Sequence, residues 1–299
     1  METLKPYAIK TLINIFNASK IPIRRTITGQ PYVDNTDIIK NVSQLYEFIN
    51  NHNYSITTKR DYLIILSNVF KGLKQKGVYE YIYNRAKLYN DLYMKRELCQ
   101  ELDENEKKNY IIYDDLLNKL QSLIDTYNNE RTYKNIINLL VLALYTLQPP
   151  LRNDYNDLIY ITNDNQETDK KKNYILKSNS IYYIILNKDK VIKKYGRGEI
   201  PITNKILINI LDLYIDEYAT TNKYLFENKN GKPYTKRQIQ YIVNSYFKNE
   251  QKTLNIYNLR SAYITNFYKL NQDIHSRVIL GEQMRHSKNT AELIYCKFF

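Results

Sequence analysis

Met284-Arg285-His286-Ser287-Lys288-Asn289-Thr290-Ala291-Glu292-Leu293-Ile294-Tyr295 sets a histidine nine positions before a tyrosine. The stretch gains meaning from what precedes it. Arg152 follows a Pro-Pro turn in Leu147-Gln148-Pro149-Pro150-Leu151-Arg152, and Arg260 stands in Tyr257-Asn258-Leu259-Arg260-Ser261-Ala262. Between them lie Lys188, Lys190, Lys193 and Lys194. The order is Arg, Lys, Arg, His, Tyr, which are groups suited to holding one phosphodiester and attacking it with a phenolic oxygen. Arginine donates two parallel hydrogen bonds and never loses its charge. A tyrosine serves as covalent nucleophile once its phenol is oriented and deprotonated. Lysine or histidine can protonate the departing oxygen. Singly, each residue has a plainer reading: Arg152 as a surface arginine, His286 and Tyr295 as structural groups. Arg260 is sharper, because a charge inside an otherwise apolar helical pattern needs a partner or a function.

The bulk numbers frame that reading. A chain of 299 residues is long for one core, and two domains are expected. A net charge of +13, divided as +4 over residues 1–104 and +9 over 105–299, favours a polyanionic partner. No run of about 18 apolar residues suits a membrane span, and Glu2, Lys5 and Lys10 interrupt any secretory pattern. An intracellular protein is expected, with Cys99 and Cys296 as free thiols. His52, His275 and His286 have no metal-site spacing, so zinc is not expected, nor is any cofactor for covalent attack by a phenolic oxygen. Tyrosines outnumber phenylalanines 31 to 8, which AT-rich coding explains without a stacking surface.

Apolar periodicity predicts helices through Ile39–Ile49 (capped by Asn35 or Thr36), through Arg60–Phe70 (started by Thr57 or Thr58 and closed by Gly77) and over Tyr79–Tyr93. The charged stretch Glu97–Asn109 reads as a linker. Helices near Tyr113–Tyr127 and Glu130–Thr146 follow, ended by Pro149-Pro150. The period then shortens. Tyr174–Leu176 and Ile181–Leu186 read as a hairpin, and Glu199–Ile202 as a third strand after Gly196 and Gly198. Helices resume at Lys205–Glu217, and Thr235 with Gln238 has capping-box spacing before another.

In this order the residues resemble the tyrosine recombinases, or phage-type integrases. That family's elements are an Arg after a helix, a Lys in a hairpin turn, a His-x-x-Arg, a Gly-His-like step and a Tyr about nine residues later. Leu151-Arg152, Tyr257-x-x-Arg260, Arg285-His286 and Tyr295 correspond to all but the lysine. Pro-Pro-x-Arg152, Lys193-Lys194-Tyr195-Gly196 and Met284-Arg285-His286-Ser287 look most like recombinases of eukaryotic DNA viruses and related mobile elements. The resemblance covers residues 105–299 and departs at two places: Tyr257 stands where the family usually has His, and Arg285 where it has Gly.

The resemblance implies a mainly α protein. An all-helical N-terminal DNA-clamping domain (1–104, with the linker) precedes an α+β catalytic domain (105–299) with a small three-stranded antiparallel sheet. Arg152, Arg260 and His286 would hold the scissile phosphate, with Tyr257 as a fourth donor and Tyr295 as nucleophile. The active lysine should end the second strand or begin the turn: Lys190 first, Lys193 second. Lys188, Lys193, Lys194, Arg197, Lys236 and Arg237 would contact DNA phosphates. The implied partner is double-stranded DNA, with self-association as a synaptic tetramer and no membrane. A virus-encoded member would work in the host cytoplasm or nucleus. Only Cys296-Lys297-Phe298-Phe299 follow Tyr295, so assembly is expected to use surfaces other than a C-terminal helix. The alternatives are a type IB topoisomerase and a catalytically degenerate DNA-binding protein.

Overall fold

Apolar residues at helical spacing make most of this chain helical, and a computed structural model shows how the helices are arranged. It describes residues 6–99, 102, 104–167, 169–219, 223–271, 273–287 and 290–297. Gln100, Glu101 and Asp103 of the expected linker, and Phe298 and Phe299, lie outside them. The chain divides into two units, Met1–Glu101 and Leu102–Phe299.

The first unit contains α1 (Pro6–Ala18), a short antiparallel pair β1 (Arg24–Arg25) and β2 (Pro31–Tyr32), then α2 (Asn35–Lys40), α3 (Val42–Asn51), α4 (Ile56–Gly72) and α5 (Lys76–Leu98). Leu12, Phe16, Leu45, Ile49, Leu63, Leu66, Phe70 and Ile82 form its core. Three details differ from the sequence expectation. The unit is not purely helical, because residues 24–32 fold back as a hairpin whose turn places Gly29 at φ 79. The helix expected across Ile39–Ile49 is two helices. Asp34, not Asn35 or Thr36, caps the first through a capping box with Asp37, and Asn41 Nδ2 takes the Asp37 carbonyl at 2.7 Å, competing with the helical ladder. Ser55, not a threonine, caps α4; Lys74, at φ 58, turns the chain after it, and Gly77 lies within α5.

The second unit opens with α6 (Glu104–Lys108), inside the stretch expected as linker. Next come α7 (Tyr113–Asn129) and α8 (Tyr133–Thr146), the latter capped by Thr132 and buried throughout Leu139–Thr146. A four-stranded sheet follows: β3 (Ile159–Ile161), β4 (Tyr174–Ser178), β5 (Ile181–Leu186) and β6 (Gly198–Ile202), in that order, with the single-turn helix α9 (Ile192–Tyr195) between the last two. β4, β5 and β6 are the expected antiparallel strands; β3 adds to them in parallel, from Ile159 opposite Tyr174. Its three residues are too few to show a period. The last helices are α10 (Lys205–Tyr218), α11 (Lys236–Ser245) with the expected Thr235–Gln238 capping box, α12 (Ile256–Leu270) and α13 (Ile274–Gln283). Mainly α, with a small mixed sheet, is thus the fold class. Cys99 is an exposed free thiol and Cys296 a buried one. Among the described residues no helix is long and apolar enough to cross a membrane.

Because α7, α10, α11 and α12 all pack on α8, its side chains carry the second unit's core. Leu140 is fully buried, whereas Leu117 on α7 is 38% exposed. Leu140→Ala should lower the unfolding free energy by about 2–5 kcal/mol, through lost transfer energy and the cavity left behind. Leu117→Ala should change it by less than about 1 kcal/mol. Urea denaturation of both variants checks the ordering; equal losses would mean that α8 is not the hub of this core.

Candidate active site

The turn after α8 is fastened before it reaches Arg152. Tyr155 donates its hydroxyl to the Leu144 carbonyl at 3.1 Å and accepts the Leu151 N–H and Gln148 Nε2, both at 3.1 Å. Tyr145 donates to the Arg152 carbonyl at 2.7 Å, and the two rings meet edge to face at 5.1 Å. Both tyrosines are buried, so the corner that carries half-buried Arg152 is fixed from below.

Arg260 reaches the same corner from α12, whose N-terminus is set by a capping box between Asn255 and Asn258. Its guanidinium donates from Nη1 to the Pro150 carbonyl and lies 4.9 Å from the centroid of the Tyr295 ring. Arg260 is 1% exposed, and its Nε and Nη2 have no hydrogen-bond partner among the described residues. Burial disfavours its charged form and Arg152 adds to that, while the Tyr295 phenol favours the charge. Arginine stays protonated regardless. A buried cation with open donors is costly unless an anion completes it.

Tyr295 is held by a row of hydroxyls one helical turn apart on α12. Tyr257 donates to the Ile294 carbonyl at 2.6 Å, and Ser261 donates to the Tyr295 carbonyl at 2.5 Å. Thr265 accepts the Lys297 N–H at 3.0 Å. Residues Ala291–Tyr295 form a π-turn, with the Cys296 N–H on the Ala291 carbonyl at 2.9 Å. Such turns often occur at functional sites. The half-buried Tyr295 ring lies between Tyr257, 5.2 Å away, and His286, stacked at 5.5 Å and 20°. Tyr257, expected to donate to a phosphate oxygen, therefore spends its hydroxyl on the backbone of the Tyr295 segment. Residue type and spacing announce neither Ser261 nor Thr265, because hydroxyls at i and i+4 look like any helix surface.

His286 enters by a helix-end motif. The chain leaves α13 through Arg285 at φ 57, and the His286 N–H bonds back to the Gly281 carbonyl at 2.9 Å. This is the left-handed exit that glycine favours and that costs other residues about 1–2 kcal/mol. Arg285 occupies it with a buried side chain. Its Nε meets Asp189 Oδ2 at 2.7 Å, and its Nη2 donates to the Gly196 carbonyl at 2.5 Å. His286 is 4% exposed; Nδ1 faces the Ser287 carbonyl at 3.2 Å, and Nε2 has no hydrogen-bond partner among the described residues. Burial first, then the charges of Arg260 and Arg152, hold the imidazole at about 4, so it is neutral near pH 7.

The lysines lie on the rim. Lys188, Lys190, Lys193 and Lys194 are exposed on the turn between β5 and β6. Arg197 is exposed and pairs with Glu167 at 3.1 Å and Glu199 at 2.8 Å. Lys236 and Arg237 are exposed in the first turn of α11. Lys236 joins Arg152 and Arg260 in opposing the rise that burial and Asp189 impose on the Asp154 carboxyl. Arg152, Tyr257, Arg260, His286 and Tyr295 are thus gathered at one place, with the lysine-bearing turn tied to it through Asp189. Among the described residues no three His, Cys, Asp or Glu side chains converge as a metal site.

No protein-family model matches this sequence, and no curated protein matches it. Solved structures do. The fold resembles that of site-specific recombinases. The XerH site-specific recombinase bound to palindromic difH substrate, in a post-cleavage complex, is 18% identical with a TM-score of 0.53, covering 90% of this chain and 67% of its own. Its pre-cleavage complex with difH gives the same identity and score, covering 90% and 70%. The Tn1549 transposon integrase in complex with a circular intermediate DNA is 14% identical with a TM-score of 0.53, covering 99% of this chain and 91% of its own. At these identities the likeness is one of fold.

The depressed imidazole ties stability to pH. The unfolded chain binds a proton at His286 near the ordinary value of 6.5, and the folded chain only near 4. The unfolded state therefore holds more protons in that interval, and stability falls as pH drops through it. Thermal melts at pH 7 and pH 5 should show a smaller acid-induced drop in His286→Gln than in the wild type. Equal drops would mean that His286 protonates freely in the folded protein.

Proposed function

We propose that this chain is a tyrosine-type DNA recombinase or integrase, which breaks and rejoins DNA through a 3′-phosphotyrosyl intermediate. One observation carries the reading. Arg260 is buried with open donors over the face of Tyr295, and the His286 imidazole, its Nε2 unpartnered among the described residues, stacks on the same ring. A phosphodiester oxygen would satisfy the Arg260 donors and offset the buried charge, while Nε2, the acceptor nitrogen of an imidazole whose Nδ1 faces the Ser287 carbonyl, is free to take a proton. The likeness of fold to DNA-bound recombinases and the net charge of +13 support the same partner.

In this reading Arg152 and Arg260 neutralise the non-bridging oxygens. The Tyr295 phenolic oxygen attacks phosphorus in line and yields its proton to neutral His286, which then donates to the phosphate. The bond from phosphorus to the 5′ oxygen breaks, and Lys190, with Lys193 second, protonates that oxygen. The phosphotyrosyl ester conserves the phosphodiester energy, so a 5′-hydroxyl of a partner duplex can reverse the step. Tyr257 acts as a positioning residue through the Ile294 carbonyl. Residues 1–104 would clamp the duplex and 105–299 catalyse. Lys188, Lys193, Lys194, Lys236 and Arg237 would contact phosphates, several copies would assemble on DNA, and the protein would act inside the cell.

The test uses nicked duplexes drawn from the DNA that flanks the chain's own coding sequence. Wild type should leave a denaturation-resistant protein–DNA adduct, and Tyr295→Phe should abolish it while binding stays within about twofold. An adduct surviving in Tyr295→Phe would place the nucleophile elsewhere. Supercoil relaxation without strand exchange would favour the topoisomerase reading, and binding without any adduct the degenerate one.

Affinity for the same duplexes should fall steeply with salt, with a log–log slope of roughly −0.9 per phosphate neutralised. A flat dependence would mean that the positive charge does not serve DNA binding.

A further inference from the structure

Arg285 contributes nothing to a bound phosphate in the mechanism above, yet it is one of the few charged side chains buried in the second unit. We propose that Arg285 is a positioning residue that latches the lysine-bearing turn to the phosphate site, and so sets the reach of Lys190. The inference rests on the strand-cleavage reading of that site.

The latch grips the turn at several points. The Arg285 and Asp189 side chains are 7% and 1% exposed and meet at 2.7 Å, so the pair is screened from water. Nη2 donates to the Gly196 carbonyl, and the guanidinium lies 5.6 Å from the Tyr195 ring centroid. A Cβ on Gly198 would come within 3.2 Å of Nη1, so a side chain there would press on the guanidinium, which packs closely on the start of β6. Asp189 also accepts the Val191 N–H at 2.9 Å, which shapes the turn around it.

Chain connectivity makes the latch functional. Lys190 directly follows Asp189, and His286 directly follows Arg285. Consecutive Cα atoms are about 3.8 Å apart, so the ion pair couples Lys190 to the wall that presents His286 to Tyr295. Lys188 and Lys190 are exposed, whereas the Asp189 side chain between them is buried. Without Arg285 that buried carboxylate loses its countercharge, and the turn has reason to leave the site.

Two variants and two readouts test this. Arg285→Gly suits the left-handed backbone while deleting the latch; Asp189→Asn keeps the shape of the turn but removes its charge. The first readout is amide hydrogen exchange over 187–198, which needs no activity. The second is single-turnover cleavage of an ordinary phosphodiester and of one with sulfur at the bridging 5′ position, whose thiolate leaves with little protonation. Both variants should raise exchange in the turn at least tenfold while α12 stays protected. Both should slow ordinary cleavage tenfold or more and largely spare the sulfur substrate, and the double variant should be no slower than the worse single one. Unchanged exchange would overturn the latch, and equal slowing on both substrates would overturn its action through Lys190. If wild type cleaves neither substrate, the strand-cleavage reading falls and the positioning role with it, the exchange result then describing only a structural ion pair.

Discussion

The burial of the Arg260 guanidinium is the constraint around which the second unit is organised. A charge that is 1% exposed must be met by protein groups or by a ligand, and here the protein supplies the Pro150 carbonyl and the ring and phenol of Tyr295. The neighbouring elements hold that cation 4.9 Å from the centroid of the Tyr295 ring. The Pro150 carbonyl can receive it because Tyr145 and Tyr155 fix the corner after α8. The Tyr295 ring can cover it because the hydroxyls of α12 grip the backbone of residues 294–297.

This arrangement divides binding from positioning. In the proposed mechanism Arg152 and Arg260 bind the phosphate and His286 moves the proton, while Tyr257, Ser261, Thr265 and Arg285 bond to other parts of the chain. The division accounts for the two places where the sequence departs from the family it resembles. Tyr257 has the length to reach the Ile294 carbonyl from the first turn of α12. Arg285 accepts a backbone conformation that suits glycine better, and its side chain forms a buried ion pair with Asp189.

Much of this is legible in the sequence, and the parts that are not share a cause. Residue order and local context single out Arg152, Arg260, His286 and Tyr295, because a charge in an apolar helix and a proline-bounded corner are both local signals. The antiparallel strands β4–β6 show in their β-branched and aromatic runs. Three-residue β3, paired in parallel with a strand more than ten positions on, does not show. Asn41 breaks a well-formed apolar period through a side-chain bond that no period encodes. The hydroxyl row of α12 and the Asp189–Arg285 pair are contacts across 30 to nearly 100 positions, so only the folded chain brings them together.

In the proposed mechanism the phenol beside the buried guanidinium becomes covalently joined to DNA. Mass spectrometry of the protease-digested adduct, with chemical mapping of the DNA ends, tests it most directly. The expected result is one peptide carrying a nucleotide on Tyr295, linked through a 3′-phosphate, and a free 5′-hydroxyl on the other side of the break. Attachment at a different residue, or through a 5′-phosphate, would contradict it.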